Sequence, residues 1–84
     1  MAKNVILFAL STCGWCKKTK RFLEDHNVAF ECLDVDTLEG ETKEQARERL
    51  AGHNPRRSYP TLVVDEKDVV VGYDEDRIRE VLGL

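Results

Sequence analysis

Residues 7–23 read LFALSTCGWCKKTKRFL, and in this stretch the end of an apolar run meets two cysteines and a run of positive charge. The apolar run Val5–Ala9 has the length of a strand and no polar interruption, which is typical of a strand buried on both faces of a sheet. From Cys13 the apolar period becomes helical, and this helix is expected to end at Asn27. The residues that share the inward face of the helix are Cys16, Thr19, Leu23 and His26. The stretch therefore predicts a strand followed by a helix, with Cys13 at their junction.

The rest of the chain contains three further strands and two further helices. The predicted strands are 30–35, Thr61–Val64 and 69–71, and the predicted helices lie within 37–55 and 73–82. The middle helix has a thin apolar stripe, consisting of Thr42, Ala46 and Leu50. Gly52 is expected to end this helix, and most of its surface should face solvent. Asp74 is expected to be the N-cap of the last helix, whose inward residues are Ile78, Val81 and Leu82.

The order of these elements, βαβαββα, predicts an α/β fold. The first βαβ unit should be parallel and right-handed, because nearly all such crossovers are. The segment DEKD at 65–68 is expected to be a hairpin turn that completes a small mixed four-stranded sheet flanked by three helices. No repeat or low-complexity tract divides the chain, so residues 1–84 are expected to form a single domain.

Composition excludes several classes of function. Thirteen basic and sixteen acidic residues give a net charge of -3, which argues against a nucleic-acid or anionic-membrane partner. The first apolar run, 5–10, is too short for a signal peptide or a membrane span. Three cysteines cannot all pair within one chain and do not resemble a secreted disulfide framework. We therefore expect a cytoplasmic protein in which closely spaced cysteines are catalytic or metal-binding.

Cys13 and Cys16 can be interpreted in three ways. As a redox pair, Cys13 would be the nucleophile, because unpaired N–H groups and the helix dipole stabilise negative charge at a helix start. Cys16 lies one turn further on, where its sulfur can reach Cys13 to form a disulfide. A zinc site would need two more ligands, for which Cys32, His26 and His53 are the candidates. Two small core residues that lie close together by chance are the third interpretation. The C-x-x-C spacing beside a βαβ pattern favours redox chemistry.

The remaining candidate residues have structural interpretations. Cys32 lies in a predicted strand and is expected to be a buried small hydrophobe. His26 is expected to cap or pack the first helix, and His53 to lie in a loop. Pro60 immediately precedes the third strand, a position that proline favours because it has no N–H to donate to the sheet.

With these motifs in place, the chain resembles the glutaredoxin branch of the thioredoxin superfamily. The resemblance covers nearly all 84 residues, with CGWC in the place of the family's usual C-P-Y-C, SYP in the place of T-V-P, and VVGYDED before the last helix. It implies a thioredoxin-like fold with catalytic Cys13 and Cys16 and a cis Pro60 packed against them. It also implies that the backbone of Tyr59 hydrogen-bonds an incoming substrate. The other substrate-binding positions that it implies are Trp15, Arg57, Gly72, Tyr73 and Asp74.

Three positions depart from the family pattern. Leu10 stands where glutathione-using members typically carry a lysine, and the family's glycine pair is reduced to Gly72 after Val71. These two changes make the chain similar also to small glutaredoxin-like redoxins that behave as thioredoxins. Gly14 replaces the proline of the motif, as in members that assemble a shared iron–sulfur cluster with glutathione.

The sequence thus predicts a dithiol thiol–disulfide oxidoreductase that reduces protein disulfides or glutathione mixed disulfides. The expected protein is a monomer without a bound cofactor or metal. Its expected reductant is glutathione, a thioredoxin reductase or a ferredoxin-linked reductase. The alternative function is a glutathione-dependent iron–sulfur cluster carrier.

Overall fold

The computed structural model describes residues 4–56 and 58–84, which form one four-stranded sheet with three α-helices. The strands are β1 Val5–Ala9, β2 Glu31–Asp34, β3 Thr61–Val64 and β4 Asp68–Val71. The helices are α1 Gly14–Asp25, α2 Gly40–His53 and α3 Glu75–Leu82. The predicted order of elements and the mixed four-stranded sheet are therefore confirmed.

The strand order β2-β1-β3-β4 determines which loops meet at one edge of the sheet. β1 pairs with β2 in parallel and with β3 in antiparallel fashion, so the end of β1 lies beside the start of β3. Phe8 in β1 is opposite Thr61 in β3. The segment that follows β1, which contains Cys13, and the segment that precedes β3, which contains Pro60, thus reach the same edge of the sheet.

Apolar residues from both faces of β1 form the core, as the uninterrupted run predicts. Leu7 and Ala9 pack with residues of α1 and α3, whereas Ile6 and Phe8 pack with residues of α2. The core residues that the helices contribute are Cys16, Phe22, Leu23, Ala46, Leu50, Ile78 and Val81. The helices α1 and α3 therefore cover one face of the sheet, and α2 covers the other.

The middle of the chain differs from the prediction in four respects. α2 continues through Gly52 to His53, and Asn54 is its C-cap, because the Asn54 N–H still donates to Leu50 O at 2.6 Å. The prediction that Gly52 ends the helix is wrong, and so is the loop position of His53. Thr42 is exposed, so the apolar stripe of α2 is reduced to Ala46 and Leu50. Before α2, the chain makes a 3₁₀-helical turn, Val35–Thr37, where a longer strand was expected.

The ends of α1 and α3 agree with the sequence signals. Asn27 lies just beyond α1 with a positive φ of 55°, a conformation that asparagine tolerates better than most residues. The Asp74 carboxylate accepts the Arg77 N–H at 3.1 Å and caps α3, as predicted. Gly83 ends α3 in the left-handed conformation, with φ 72°. Within the described residues, none of the helices has the length and apolar character needed to cross a membrane.

Candidate active site

Cys13 is the N-cap of α1 and stands at the edge of the sheet where β1 ends. Its side chain is half-buried, and its Sγ accepts the backbone N–H of Cys16 at 3.2 Å. A turn in which the Cys13 N–H donates to Leu10 O at 3.1 Å joins β1 to the helix. Backbone N–H groups at the start of a helix lack partners within the helix, and Cys13 Sγ lies where it can accept one of them.

Cys16 lies one turn behind Cys13 and is fully buried, with 0% of its surface exposed. It belongs to the core cluster that also contains Leu7 and Ala9. Burial raises the pKa of Cys16 to about 12, and a hydrogen bond to Cys13 adds to the increase. Both thiols are free. The two sulfurs therefore have different environments: Cys13 is only partly buried and its Sγ accepts one backbone N–H, whereas Cys16 is enclosed by the core and its raised pKa keeps it protonated.

A cavity of about 220 Å³ includes Trp15, which lies between the two cysteines in sequence. The residues that line it are Trp15, Tyr59, Pro60, Gly72 and Tyr73, all of which are predicted site residues. The Tyr59–Pro60 bond is cis, which confirms that prediction. The Gly72 N–H donates to Pro60 O at 2.8 Å, and the φ of Gly72, 81°, is one that glycine adopts without strain. The loop before β3 and the loop after β4 are thus joined directly at the cavity.

Two aromatic rings that line this cavity are in contact with each other and with Lys18. Trp15 is 59% exposed, and its ring stacks on Tyr73 with centroids 6.0 Å apart. The Nζ of Lys18 lies 5.2 Å from the centroid of the Trp15 ring and 5.4 Å from that of Tyr73. Lys18 was not among the predicted site residues. Its position three residues after Trp15 could have indicated this contact, since residues at that spacing are neighbours on a helix.

Of the two remaining predicted site residues, the structure describes only Asp74. Asp74 is exposed and its carboxylate is engaged as the N-cap of α3, so it is not part of the cavity lining. Arg57 lies outside the residues that the structure describes.

A second cavity, of about 330 Å³, lies on the other side of Tyr59. Its lining consists of Leu10, Val35, Asp36, Lys43, Arg47 and Tyr59. The Ser11 backbone N–H and hydroxyl both donate to Asp36, at 2.8 and 2.5 Å, and these bonds hold the pKa of Asp36 below its usual range. Lys43 and Arg47 of α2 line this cavity together with Leu10, where the family pattern has a lysine. Neither cation was predicted as a site residue, because no local pattern connects α2 to Leu10.

A buried polar network supports the loop that ends in Pro60. Asn54 is buried, and its Nδ2 donates to Ser58 Oγ at 3.0 Å and to Thr61 Oγ1 at 3.1 Å. The Thr61 hydroxyl, also fully buried, donates to Ser58 O at 2.7 Å. The Asn54 Oδ1 accepts the Arg56 N–H at 3.2 Å. These bonds connect both ends of the loop 54–61 and so position Tyr59 and Pro60.

The other titratable candidates lie away from the cavity lining. Cys32 is half-buried rather than buried, because β2 is an edge strand, and its Sγ is 3.7 Å from Asp34 Oδ1. Burial raises the pKa of Cys32. His26 is the C-cap of α1 and packs on Phe22 with ring centroids 4.2 Å apart, as predicted for a capping or packing residue. His53 pairs with Glu66 at 3.0 Å. Among residues 4–56 and 58–84, no group of three or more histidine, cysteine or acidic side chains is arranged to hold a metal ion.

Comparisons with known proteins agree with this geometry. A family model described as glutaredoxin matches residues 5–69. Methanoredoxin from Methanosarcina acetivorans is 43% identical in sequence, and its crystal structure superposes with a TM-score of 0.92 over 96% of this chain and 85% of that chain. The glutaredoxin of Methanosarcina mazei Go1 is 46% identical in sequence, and its structure superposes with a TM-score of 0.91 over 96% of this chain and 79% of that chain. A glutaredoxin-like 8.6 kDa protein of the rubredoxin operon of Clostridium pasteurianum is 29% identical over 76 residues, which are 90% of this chain and 93% of that protein. The predicted thioredoxin-like fold is confirmed, and the chain belongs to the glutaredoxin family.

Proposed function

We propose that this protein is a dithiol thiol–disulfide oxidoreductase that reduces disulfide bonds in other proteins through Cys13 and Cys16. The observation that carries the proposal is the difference between the two sulfurs. The Cys13 sulfur is accessible and accepts an N–H at 3.2 Å, whereas Cys16 is fully buried with a pKa raised to about 12. One sulfur is suited to attack first and the other to remain protonated behind it.

In the first step, the Cys13 thiolate attacks one sulfur of the substrate disulfide. A bond forms between Cys13 Sγ and that sulfur, the substrate S–S bond breaks, and the second substrate sulfur leaves as a thiolate that takes a proton from water. The Cys16 N–H that Cys13 Sγ accepts stabilises the attacking anion before the step.

In the second step, Cys16 loses its proton and attacks Cys13 Sγ. The Cys13–Cys16 bond forms, the mixed disulfide breaks, and the first substrate sulfur leaves and is protonated. Cys13 contributes to the high pKa of Cys16 through both a hydrogen bond and its charge. Both contributions disappear when Cys13 becomes part of the mixed disulfide, so Cys16 ionises more readily at the point where it must react.

The cavity beside Trp15 is proposed to hold the substrate segment next to its disulfide. Its lining by Trp15, Tyr59, Pro60, Gly72 and Tyr73 supports contact with an apolar or flat substrate group. We propose that the Tyr59 backbone forms the short antiparallel bridge that the family resemblance implies.

Glutathione is the proposed reductant of the oxidised pair. The family resemblance places its carboxylate binding near Leu10, and Lys43 and Arg47 provide positive charge in the cavity that Leu10 lines. Asp36 in the same lining offsets part of this charge, and the second cation supports carboxylate binding despite the loss of the family's lysine. Two glutathione molecules would supply two electrons and two protons, returning Cys13 and Cys16 to thiols and leaving one glutathione disulfide.

Trapping of the mixed disulfide tests the two cysteine roles. Reduced wild-type protein and the variants Cys13→Ser, Cys16→Ser and Cys32→Ser are each mixed with a disulfide-containing peptide. The mixtures are quenched with acid, and the intact protein masses are measured by mass spectrometry. We expect wild type and Cys32→Ser to end as the internal disulfide, and Cys16→Ser to accumulate a peptide adduct. Turnover by Cys16→Ser without an adduct would contradict the resolving role, and full turnover by Cys13→Ser would overturn the proposal.

Reduction of the Cys13–Cys16 disulfide under NADPH tests the reductant. We expect faster turnover with glutathione and glutathione reductase than with a thioredoxin reductase. Turnover with the thioredoxin reductase alone would instead identify a thioredoxin-like redoxin on a glutaredoxin fold.

A further inference from the structure

The side of α1 that leads away from Cys13 carries exposed positive charge that the proposed chemistry does not use. Lys17 and Arg21 follow Cys13 at intervals of four residues, so they lie on successive turns of nearly the same side of the helix. Both side chains are exposed, as is Lys18 beside them. We name Lys17, Lys18 and Arg21 the α1 basic face.

Two members of the α1 basic face, Lys17 and Arg21, have charge that no carboxylate neutralises, whereas Lys18 lies over the rings of Trp15 and Tyr73. Arg49, Arg77 and Arg79 each form an ion pair with a glutamate, and Lys20 pairs with Asp34. Within residues 4–56 and 58–84, Lys17 and Arg21 have no carboxylate within ion-pair distance. Their charge is thus available to a partner.

The basic residues of α1 lie closer to Cys13 than its acidic residues do, so a partner that approaches Cys13 along α1 meets positive charge first. Lys17 is about 6 Å and Arg21 about 12 Å from Cys13 along the helix axis, at 1.5 Å per residue. The acidic residues of α1, Glu24 and Asp25, occupy its last turn, further from Cys13. A chain with a net charge of -3 therefore presents a local positive surface beside its nucleophile.

We propose that the α1 basic face is a docking surface for proteins whose reducible disulfide is flanked by acidic residues. The inference rests on the proposed function, since it names the substrate class of the same cysteine pair. A tripeptide such as glutathione spans about 10 Å when extended and could reach Lys17, but a partner that contacts the whole face from Cys13 to Arg21 must be larger. Nucleic acids carry no disulfide for Cys13 to attack, which leaves an acidic disulfide protein as the occupant.

Three peptides that differ only in charge test the proposal. Each contains one internal disulfide, flanked by three glutamates, three glutamines or three lysines. The second-order rate of reduction by reduced protein is measured by acid quenching and chromatography, at about 20 mM and about 500 mM NaCl. We expect the glutamate peptide to react at least about fivefold faster than the glutamine peptide at low salt, because a charged surface steers association. The difference should fall below about twofold at high salt, where screening shortens the range of the charges to about 4 Å.

Charge reversal identifies the surface. Lys17→Glu and Arg21→Glu are each expected to abolish the preference for the glutamate peptide and to leave the rate with the glutamine peptide within about twofold. The matched control is Lys67→Glu, an equal change of charge on an exposed lysine in the turn between β3 and β4. This turn is at the opposite end of β3 from Pro60, about 13 Å away along the strand. The control should keep the preference.

The outcomes separate the two proposals. Equal rates for the glutamate and glutamine peptides, or equal loss of preference in Lys67→Glu, would overturn the docking surface while leaving the oxidoreductase intact. Failure of the wild type to reduce any of the three peptides would overturn the proposed function, and the docking surface with it.

Discussion

Replacement of Thr61 by valine should destabilise the protein far more than its small change in size suggests. The Thr61 hydroxyl donates to Ser58 O at 2.7 Å and accepts Asn54 Nδ2 at 3.1 Å, and the residue is fully buried. Valine has a similar volume but makes neither bond. Each hydrogen bond contributes about 1 kcal/mol, and the Ser58 carbonyl that loses its Thr61 donor adds about 1 kcal/mol more. We therefore expect the free energy of unfolding to fall by about 2–3 kcal/mol.

Urea unfolding followed by far-ultraviolet circular dichroism measures this loss. The midpoint should fall while its slope with denaturant stays constant, which indicates a change in stability rather than in the compactness of the unfolded chain. For a domain of this size the melting temperature should fall by about 10 °C or more. Thr61→Ser keeps the hydroxyl and loses only a methyl group, so it should cost about 1 kcal/mol.

Thr37 provides a matched control for the effect of burial. Its hydroxyl donates to Asp34 O at 2.9 Å, three residues earlier, which is the same sequence separation as in the bond from Thr61 to Ser58. Thr37 is exposed, so water can replace the lost bond and Thr37→Val should cost at most about 0.5 kcal/mol. Equal costs for Thr61→Val and Thr37→Val would refute the stabilising role of the buried network around Asn54.

Three further predictions concern the site and the core. Lys43→Ala combined with Arg47→Ala should raise the KM for glutathione about tenfold in the coupled assay and leave single-turnover peptide reduction unchanged, whereas Lys67→Ala should change neither. The pKa of Cys16 is raised from 9.0 to about 12 in the folded protein. The buried, protonated thiol therefore contributes fully to the free energy of unfolding below pH 9, and this contribution is lost as the pH rises from 9 to 12. The reduced wild type should lose up to about 1.4 kcal/mol per pH unit in that range relative to Cys16→Ala in urea titrations, and parallel curves would contradict the raised pKa. Ile78→Ala, at a fully buried position of α3, should cost about 2–5 kcal/mol by thermal unfolding, and a cost below about 1 kcal/mol would contradict tight packing there.

Local patterns were sufficient to predict most of the elements. The bounds of β1 and β3 match the predictions, because each strand is a short run without charged residues that is buried along its whole length. Asp74 was identified as an N-cap because an aspartate before a helix satisfies free N–H groups nearby in sequence. Gly52 shows where a local signal fails. Glycine is tolerated inside a helix at about 1 kcal/mol, and the packing of Leu50 and the bonds of Asn54 outweigh that cost.

The cysteine pair could be anticipated from its local C-x-x-C spacing, and the cis state of Pro60 from the family resemblance. The cation pair Lys43 and Arg47 could not, since the cavity that joins it to Leu10 forms only when α2 packs on the sheet. The exposure of Cys32 was also unpredictable, because a strand's sequence does not say whether it lies at an edge.

The sequence by itself determined the order of elements, the glutaredoxin family and the position of Cys13, the proposed nucleophile, at a helix start. The tertiary structure alone decided that Cys32 is only half-buried and that Lys43 and Arg47 line a cavity with Leu10. It also decided which cations remain unpaired. Spacing within a helix or strand is set by backbone geometry over a few residues. Burial and charge pairing depend instead on residues that the folded sheet brings together from distant parts of the chain, as in the bonds from Ser11 to Asp36, 25 residues away.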